Sequence, residues 1–255
     1  MRGKNLKIRI FIALAVVAFA YLRKCSQEEV NPYTGRTQAI SLSPEQEIAI
    51  GLQSAPGMVQ QHGGLHPNTQ YQALVDNVGQ KLISNSVAKA TPYEYEFHLL
   101  ADPNTINAFA LPGGQIFITF ALFSKLENED QLAGVLGHEI GHVLGKHSNE
   151  RITNANFWKI IAMGASSVDL GGVAQQYGNG ELLKNGRGDE LESDDLGVRF
   201  MMQAGYQPEE MIDVMEILKA AAGPNRIPEF QSTHPDPENR IDHIKASIEK
   251  YKKTL

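Results

Sequence analysis

Two histidines four residues apart, with a glutamate beside the first, constrain this chain more than any other feature: His138-Glu139-Ile140-Gly141-His142. On an α-helix, residues four apart lie one turn apart on the same face. Two imidazoles there can point at one ion, and neutral imidazole suits zinc. Glu139 can then reach a water held by that ion without ligating the metal. Such an ion brings the water's pKa towards about 7, and the carboxylate takes its proton. The same carboxylate can return the proton to the leaving amine of a peptide bond. Gly137 and Gly141 lie beside the ligands, and each costs roughly 1 kcal/mol in a helix interior relative to alanine. They make sense if another element must approach this helix closely.

A catalytic zinc ion has three protein ligands and a water. One candidate for the third continues the run as His-Glu-x-x-His-x-x-Gly-x-x-His. Gly145 fits it, but Ser148 occupies the last position. His147 is one residue short and points about 100° away on a helix. The other candidate is the acidic run Asp189-Glu190-Leu191-Glu192-Ser193-Asp194-Asp195. Glu190 and Asp194 share a helix face. Glu190 can ligate, and Asp194 can accept the free ring N–H of a ligand histidine and so fix its tautomer. Glu192 and Asp195 read as solvent-facing. The expectation is one zinc per chain, held by His138, His142 and Glu190.

The N-terminus carries an export signal. Arg2, Lys4, Lys7 and Arg9 precede the uninterrupted apolar and aromatic stretch from Ile10 to Tyr21. A helix from Ile10 to Leu22 spans roughly 20 Å, short of the roughly 30 Å hydrocarbon core. Leu6 and Ile8 bring it close to spanning if Lys7 and Arg9 snorkel. It reads as an uncleaved membrane anchor with the rest of the chain on the outer face, inner-membrane-attached and periplasmic. Cleavage after Ala20 is the alternative, since Ala18-Phe19-Ala20 has the small-x-small pattern. Cys25 is the single cysteine, so no intrachain disulfide forms. Arg23 and Lys24 before it fit a lipid-attachment signal badly. A net charge of −6, with no basic cluster beyond the first ten residues, gives no reason to expect nucleic acid as a partner.

The expected organisation is a signal or anchor over 1–24, a linker over 25–42 and a catalytic domain over 43–255. Asn31 to Ser41 reads as extended. Ser43-Pro44-Glu45-Gln46 opens a helix towards Gln61, with a break at Pro56-Gly57. A second helix begins near Asn68. Tyr93 to Leu100 reads as a strand, and Ala108 to Leu111 and Gln115 to Phe120 as two extended segments around a turn. A long helix covers Asp130 to about Lys146. A glycine-rich mixed stretch follows, Ser148 to Gly188, then helices over 189–204, 208–222 and 237–252. Phe157 to Met163 reads as core, with a gating role as the alternative. His62, His66, His98 and His243 belong to no motif. The fold class is α+β, mostly helical, with one small sheet.

Gly137-His138-Glu139-Ile140-Gly141-His142-Val143 followed by Glu190-Leu191-Glu192-Ser193-Asp194 resembles the zinc endopeptidases related to HtpX and the type 1 CaaX prenyl protease, which are gluzincins. Ser193 stands where members usually carry alanine. Asn107-Ala108-Phe109-Ala110-Leu111-Pro112-Gly113-Gly114 resembles the family's edge strand, and Thr233-His234-Pro235 through Arg240 its His-Pro…Arg element. The resemblance covers roughly Ser43 to Tyr251 and implies a zincin-like domain that cleaves proteins or peptides. It implies that Asn107, Ala108, Phe109, Ala110, Leu111 and Gly113 line an extended substrate by β-augmentation. It gives His234 a catalytic role as oxyanion donor, or a cap on the metal at rest, and makes Arg240 a support for the His234 loop. The single apolar segment matches exported bacterial members rather than multi-span ones, and quality control of envelope proteins is the expected setting. A chaperone-like or protein-binding module on the same scaffold is the competing reading; the intact set of Glu139, both histidines and Glu190 speaks for the peptidase.

Overall fold

A computed structural model describes residues 2–168, 170–221, 234 and 239–255. It divides into two compact units, one of residues 1–42 with 146–186, the other of 43–145 with 187–255.

The larger unit holds a small sheet backed by helices. Helix α2 (Pro44–Gln61) starts in a capping box: Ser43 Oγ accepts from the Gln46 amide, and Gln46 Oε1 accepts from the Ser43 amide at 2.9 Å. It runs through Pro56 without the expected break. Pro56 and Leu52, four residues back, are both exposed, so the proline lies on the outer face of the helix. Asn68 caps α3 (Thr69–Ser84), which buries Val75, Val78 and Leu82. Strand β3 (Glu96–Leu100) pairs in parallel with β5 (Gln115–Thr119), and β4 (Ala108–Ala110) pairs antiparallel to β5. The order β3-β5-β4 leaves β5 central and wholly buried and β4 at an edge. One helical turn, α4 (Phe120–Phe123), follows.

Helix α5 (Glu129–Leu144) carries the histidine pair and is the centre of the unit. Asn128 caps it by accepting from the Gln131 amide at 2.9 Å. Almost every residue from Gln131 to Leu144 is buried. A helix buried all round packs its own backbone against neighbours, which explains its glycines. The helix carrying the acidic run crosses it there. A Cβ on Gly141 would lie 2.9 Å from both Cα and O of Ser193, and one on Gly137 3.4 Å from Cα of Gly197. Helices α8 (Glu210–Ala221) and α9 (Arg240–Tyr251) complete this unit. The expected first turn of the last helix, from Pro237, lies outside the described residues, as do Thr233, Pro235, Asp236 and Ala222.

The smaller unit contains α1 (Arg2–Cys25), a hairpin of β1 (Glu28–Val30) and β2 (Thr37–Ala39), and α6 (His147–Ser166). The segment expected to be extended is therefore turned and pinned. Asn31 Oδ1 accepts from the Tyr33 amide at 2.8 Å, and Asn149 accepts from the Ser41 and Leu42 amides. The glycine-rich stretch expected to be mixed is largely helical: α6 occupies its first half, and α7 (Gly171–Gln203) covers the part from Gly171 on. Packing overrides propensity here. A Cβ on Gly164 would come within 2.8 Å of Val16 Cγ1, and one on Gly178 within 2.7 Å of the Trp158 ring. Phe157 to Ile161 lie on α6, where Phe157 meets Lys24 of α1. Among the described residues, no helix is long and apolar enough to cross a membrane.

Candidate metal centre

Helices α5 and α7 bring His138, His142 and Glu190 together. The two Nε2 atoms are 3.0 Å apart. Glu190 Oε2 is 3.3 Å from His138 Nε2, and Oε1 is 3.4 Å from His142 Nε2. Together with a nitrogen of His234, one donor atom from each of these residues falls within a group no wider than 4.8 Å. Metal–nitrogen and metal–oxygen bonds of about 2.0–2.2 Å place tetrahedral neighbours about 3.3 Å apart. The observed separations fit that ion size, and imidazole with carboxylate fits its chemistry. Helix α5 ends at Leu144, and Lys146 takes a left-handed φ of 54° before α6 begins at His147. His147 therefore leaves the helix of the other two histidines, and the grouped donors do not include it.

The surroundings orient these donors. Asp194 is fully buried, and its Oδ1 lies 2.8 Å from His138 Nδ1, so His138 presents Nε2 inwards. Arg240, buried as well, donates from Nε to Asp194 Oδ2 at 2.6 Å and from Nη2 to Oδ1 at 2.9 Å. The Arg240 guanidinium is thus a fork on Asp194, with Nη1 3.4 Å from Glu190. The loop it was expected to hold is outside the described residues apart from His234 itself.

Charge is balanced within this buried group. Burial works against ionising Asp194, but the charge of Arg240 and the hydrogen bond to His138 outweigh it and bring its pKa to about 2. Burial opposes a charged His138 too, yet the hydrogen bond and charge of Asp194 push it up to about 9. Glu190 is held well below the usual carboxylate range: burial opposes this, and the histidines around it prevail. These interactions favour a proton on His138, and an ion entering the site competes with it.

Glu139 is different. It is 1% exposed, and neither carboxylate oxygen has a hydrogen-bond partner among the described residues. His234 Nε2 stands off from its Oε1 at 3.6 Å. A buried carboxylate left without a hydrogen bond is costly. It makes physical sense only where a further polar species enters the site.

His234 bridges two sides. Its Nδ1 is 3.1 Å from Glu190 Oε1 and 3.4 Å from His138 Nε2, while its Nε2 is 3.2 Å from the Ala108 carbonyl. It therefore links the donor cluster to the edge strand. On that strand, the Asn107 backbone is engaged at both ends by Thr119, the Phe109 ring stacks on Phe117 at 4.9 Å, and Leu111 bonds to the Gln115 carbonyl. Ala110 pairs with Ile116, and Gly113 makes the turn at φ 82°.

Sequence reasoning missed Asp195. It is only partly exposed and is engaged: it accepts from Ser247 Oγ at 2.6 Å, Tyr251 OH at 2.6 Å and Lys250 Nζ at 3.0 Å, clamping α9 to α7. Only its position next to Asp194 hinted at this, because its partners are more than 50 residues away. Three histidines outside the cluster have partners of their own, while the buried Nδ1 of His243 has no hydrogen-bond partner among the described residues. His62 faces Asp102, His98 faces Gln115, and His66 stacks on Phe120.

Comparison with known proteins matches this sequence to a family. The model of peptidase family M48 matches residues 69–248. The mitochondrial metalloendopeptidase OMA1 of Schizosaccharomyces pombe is 35% identical over 183 residues, covering 70% of this chain and 52% of that protein. The beta-barrel assembly-enhancing protease of Escherichia coli K12 is 30% identical over 262 aligned positions, 93% of this chain and 51% of that protein. OMA1 of Saccharomyces cerevisiae is 26% identical over 245 positions, covering 86% and 68%. The chain spans about half the length of the first two. With the family profile covering the α5 and α7 donors together, the chain belongs to peptidase family M48.

Proposed function

We propose that this protein is a zinc-dependent endopeptidase that cleaves protein or peptide substrates outside the cytoplasm, with residues 43–255 as its catalytic domain. The observation that carries the reading is the pairing of a three-residue donor set at ion-binding separations with a buried, unbonded Glu139 carboxylate. His138, His142 and Glu190 would hold one zinc ion. When bound, zinc supplies Lewis acidity towards a peptide carbonyl and acidifies water beside it. The remaining steps belong to the chain. Asp194, fixed by Arg240, keeps His138 in the tautomer that offers Nε2. The outer edge of β4 aligns an extended backbone, with Asn107 to Leu111 and Gly113 along the peptide. Glu139 accepts the proton of the attacking water and delivers it to the leaving nitrogen. His234 Nε2, on the side of Glu139 and Ala108, donates to the oxygen that gains charge.

The basic, apolar N-terminus supports export, with membrane contact through α1 if it is not cleaved. A relative named for enhancing β-barrel assembly supports a role in envelope protein quality control. The test is digestion of casein before and after chelation, with zinc then added back. The reading predicts activity that disappears with chelator, returns with zinc, and is absent in Glu190→Ala at any zinc concentration. Chelator-resistant cleavage overturns it.

A further inference from the structure

Helix α1 is apolar on every side from Ile10 to Leu22, yet only one narrow seam of it is covered. Ala13 and Ala20 are buried in that seam, and Val16 lies against the bare backbone of Gly164 on α6. A helix apolar all round belongs in a core or in lipid. Seams of small residues are how helices pair where no hydrophobic force drives them together. The rest of α1 is open: Phe11, Leu14, Phe19 and Leu22 are each at least 60% exposed. Met163 on α6, 68% exposed, extends the apolar surface. A contiguous patch of this kind marks a site of interaction.

The charges name the occupant. There is no acidic residue before Glu28. Cations bound the apolar stretch at both ends, Lys7 and Arg9 at one and Arg23 and Lys24 at the other, with Lys159 on α6. The helices run antiparallel: the Arg9 side chain donates to the Ser167 carbonyl, and Lys24 Nζ lies 5.0 Å over the Phe157 ring. At the Lys24 end an aromatic group continues from Phe157 to Trp158 at 5.1 Å and on to Tyr177 at 5.3 Å. Aromatic rings with polar edges, beside cations and at the end of an apolar band, are the chemistry of the water–lipid boundary. Lysine and arginine there select anionic headgroups. The apolar stretch, roughly 20 Å long, is too short to span and suits one leaflet.

We propose that α1 and the C-terminal half of α6 form one docking platform for an anionic lipid surface, with Trp158 and Tyr177 at headgroup depth. This extends the membrane contact of the proposed function from α1 to α6, and it stands or falls independently of the metal site. The chain has a single tryptophan, Trp158, which serves as the reporter. Full-length protein would be mixed with phosphatidylcholine vesicles, with or without phosphatidylglycerol, some carrying brominated acyl chains. The expected result is flotation with the anionic vesicles, a blue shift of Trp158 emission, and quenching by bromine placed near the headgroup. Replacing Arg23 or Lys159 by glutamine should weaken binding to anionic vesicles by about fivefold each, with little change on neutral ones. Phe11→Ser with Leu14→Ser should abolish flotation while cleavage of a soluble peptide continues. Flotation with Trp158 unshifted and unquenched would overturn the platform, leaving α1 as a lone anchor. Equal binding to neutral and anionic vesicles would overturn the choice of lipid. A dimer in lipid-free buffer that persists on adding vesicles would assign the surface to a second copy.

Discussion

At the scale of single residues, Asp194 is where the proposed metal binding can be tested apart from the proposed chemistry. It contacts His138 and Arg240 but none of the positions assigned to substrate. Asp194→Asn keeps the shape and removes the charge. Zinc affinity should fall about 10–100-fold, measured by competition with a chelator, while turnover at saturating zinc should change much less. Unchanged affinity would mean that the His138 tautomer is set by something else. The i, i+4 histidines and the i, i+4 acids were readable because helix geometry fixes which side chains share a face. The partners of Arg240 and Asp195 were not readable, because they depend on how α7 meets α9, and no local pattern encodes that.

At the scale of elements, the crossing of α5 and α7 sets the distance between the grouped donors. Gly141→Ala should gain about 1 kcal/mol of helix propensity. It would also force a methyl group to 2.9 Å from the Ser193 backbone, and overpacking of this kind costs about 1–3 kcal/mol. The clash should win, lowering the melting temperature and weakening zinc binding, since Glu190 is one turn from Ser193. Gly137→Ala, with contacts at 3.4 Å, should be milder. A thermal melt in which Gly141→Ala is the more stable protein would refute the close crossing.

The clamp between α7 and α9 carries a pH dependence. Burial raises the pKa of Asp195, but hydrogen bonds from Ser247, Tyr251 and Lys250 bring it below its ordinary value of 3.8. A carboxylate with a lowered folded pKa stabilises the fold above its unfolded pKa and loses that contribution as pH falls through the folded one. Metal-free wild type should therefore exceed Asp195→Asn in urea melts near neutrality, and the gap should close below pH 3.8. A gap that is constant with pH would remove the carboxylate's charge from the account.

At the scale of the molecule, the mostly helical α+β class followed from long amphipathic stretches around one short alternating segment. The glycine-rich region after α5 was misread because propensity speaks against helix there. Gly164 and Gly178 are instead where another side chain needs the space. Residue and element meet in the proposed centre, where donors that could hold one ion lie beside a buried carboxylate that makes no hydrogen bond among the described residues. Its most direct test is zinc content and peptidase rate measured together for Glu139→Gln. The account predicts one zinc per chain, as in wild type, an unchanged melting curve, and turnover reduced by about 10²–10⁴-fold, because an amide takes no proton from water. Turnover close to wild type, or zinc lost together with activity, would contradict it.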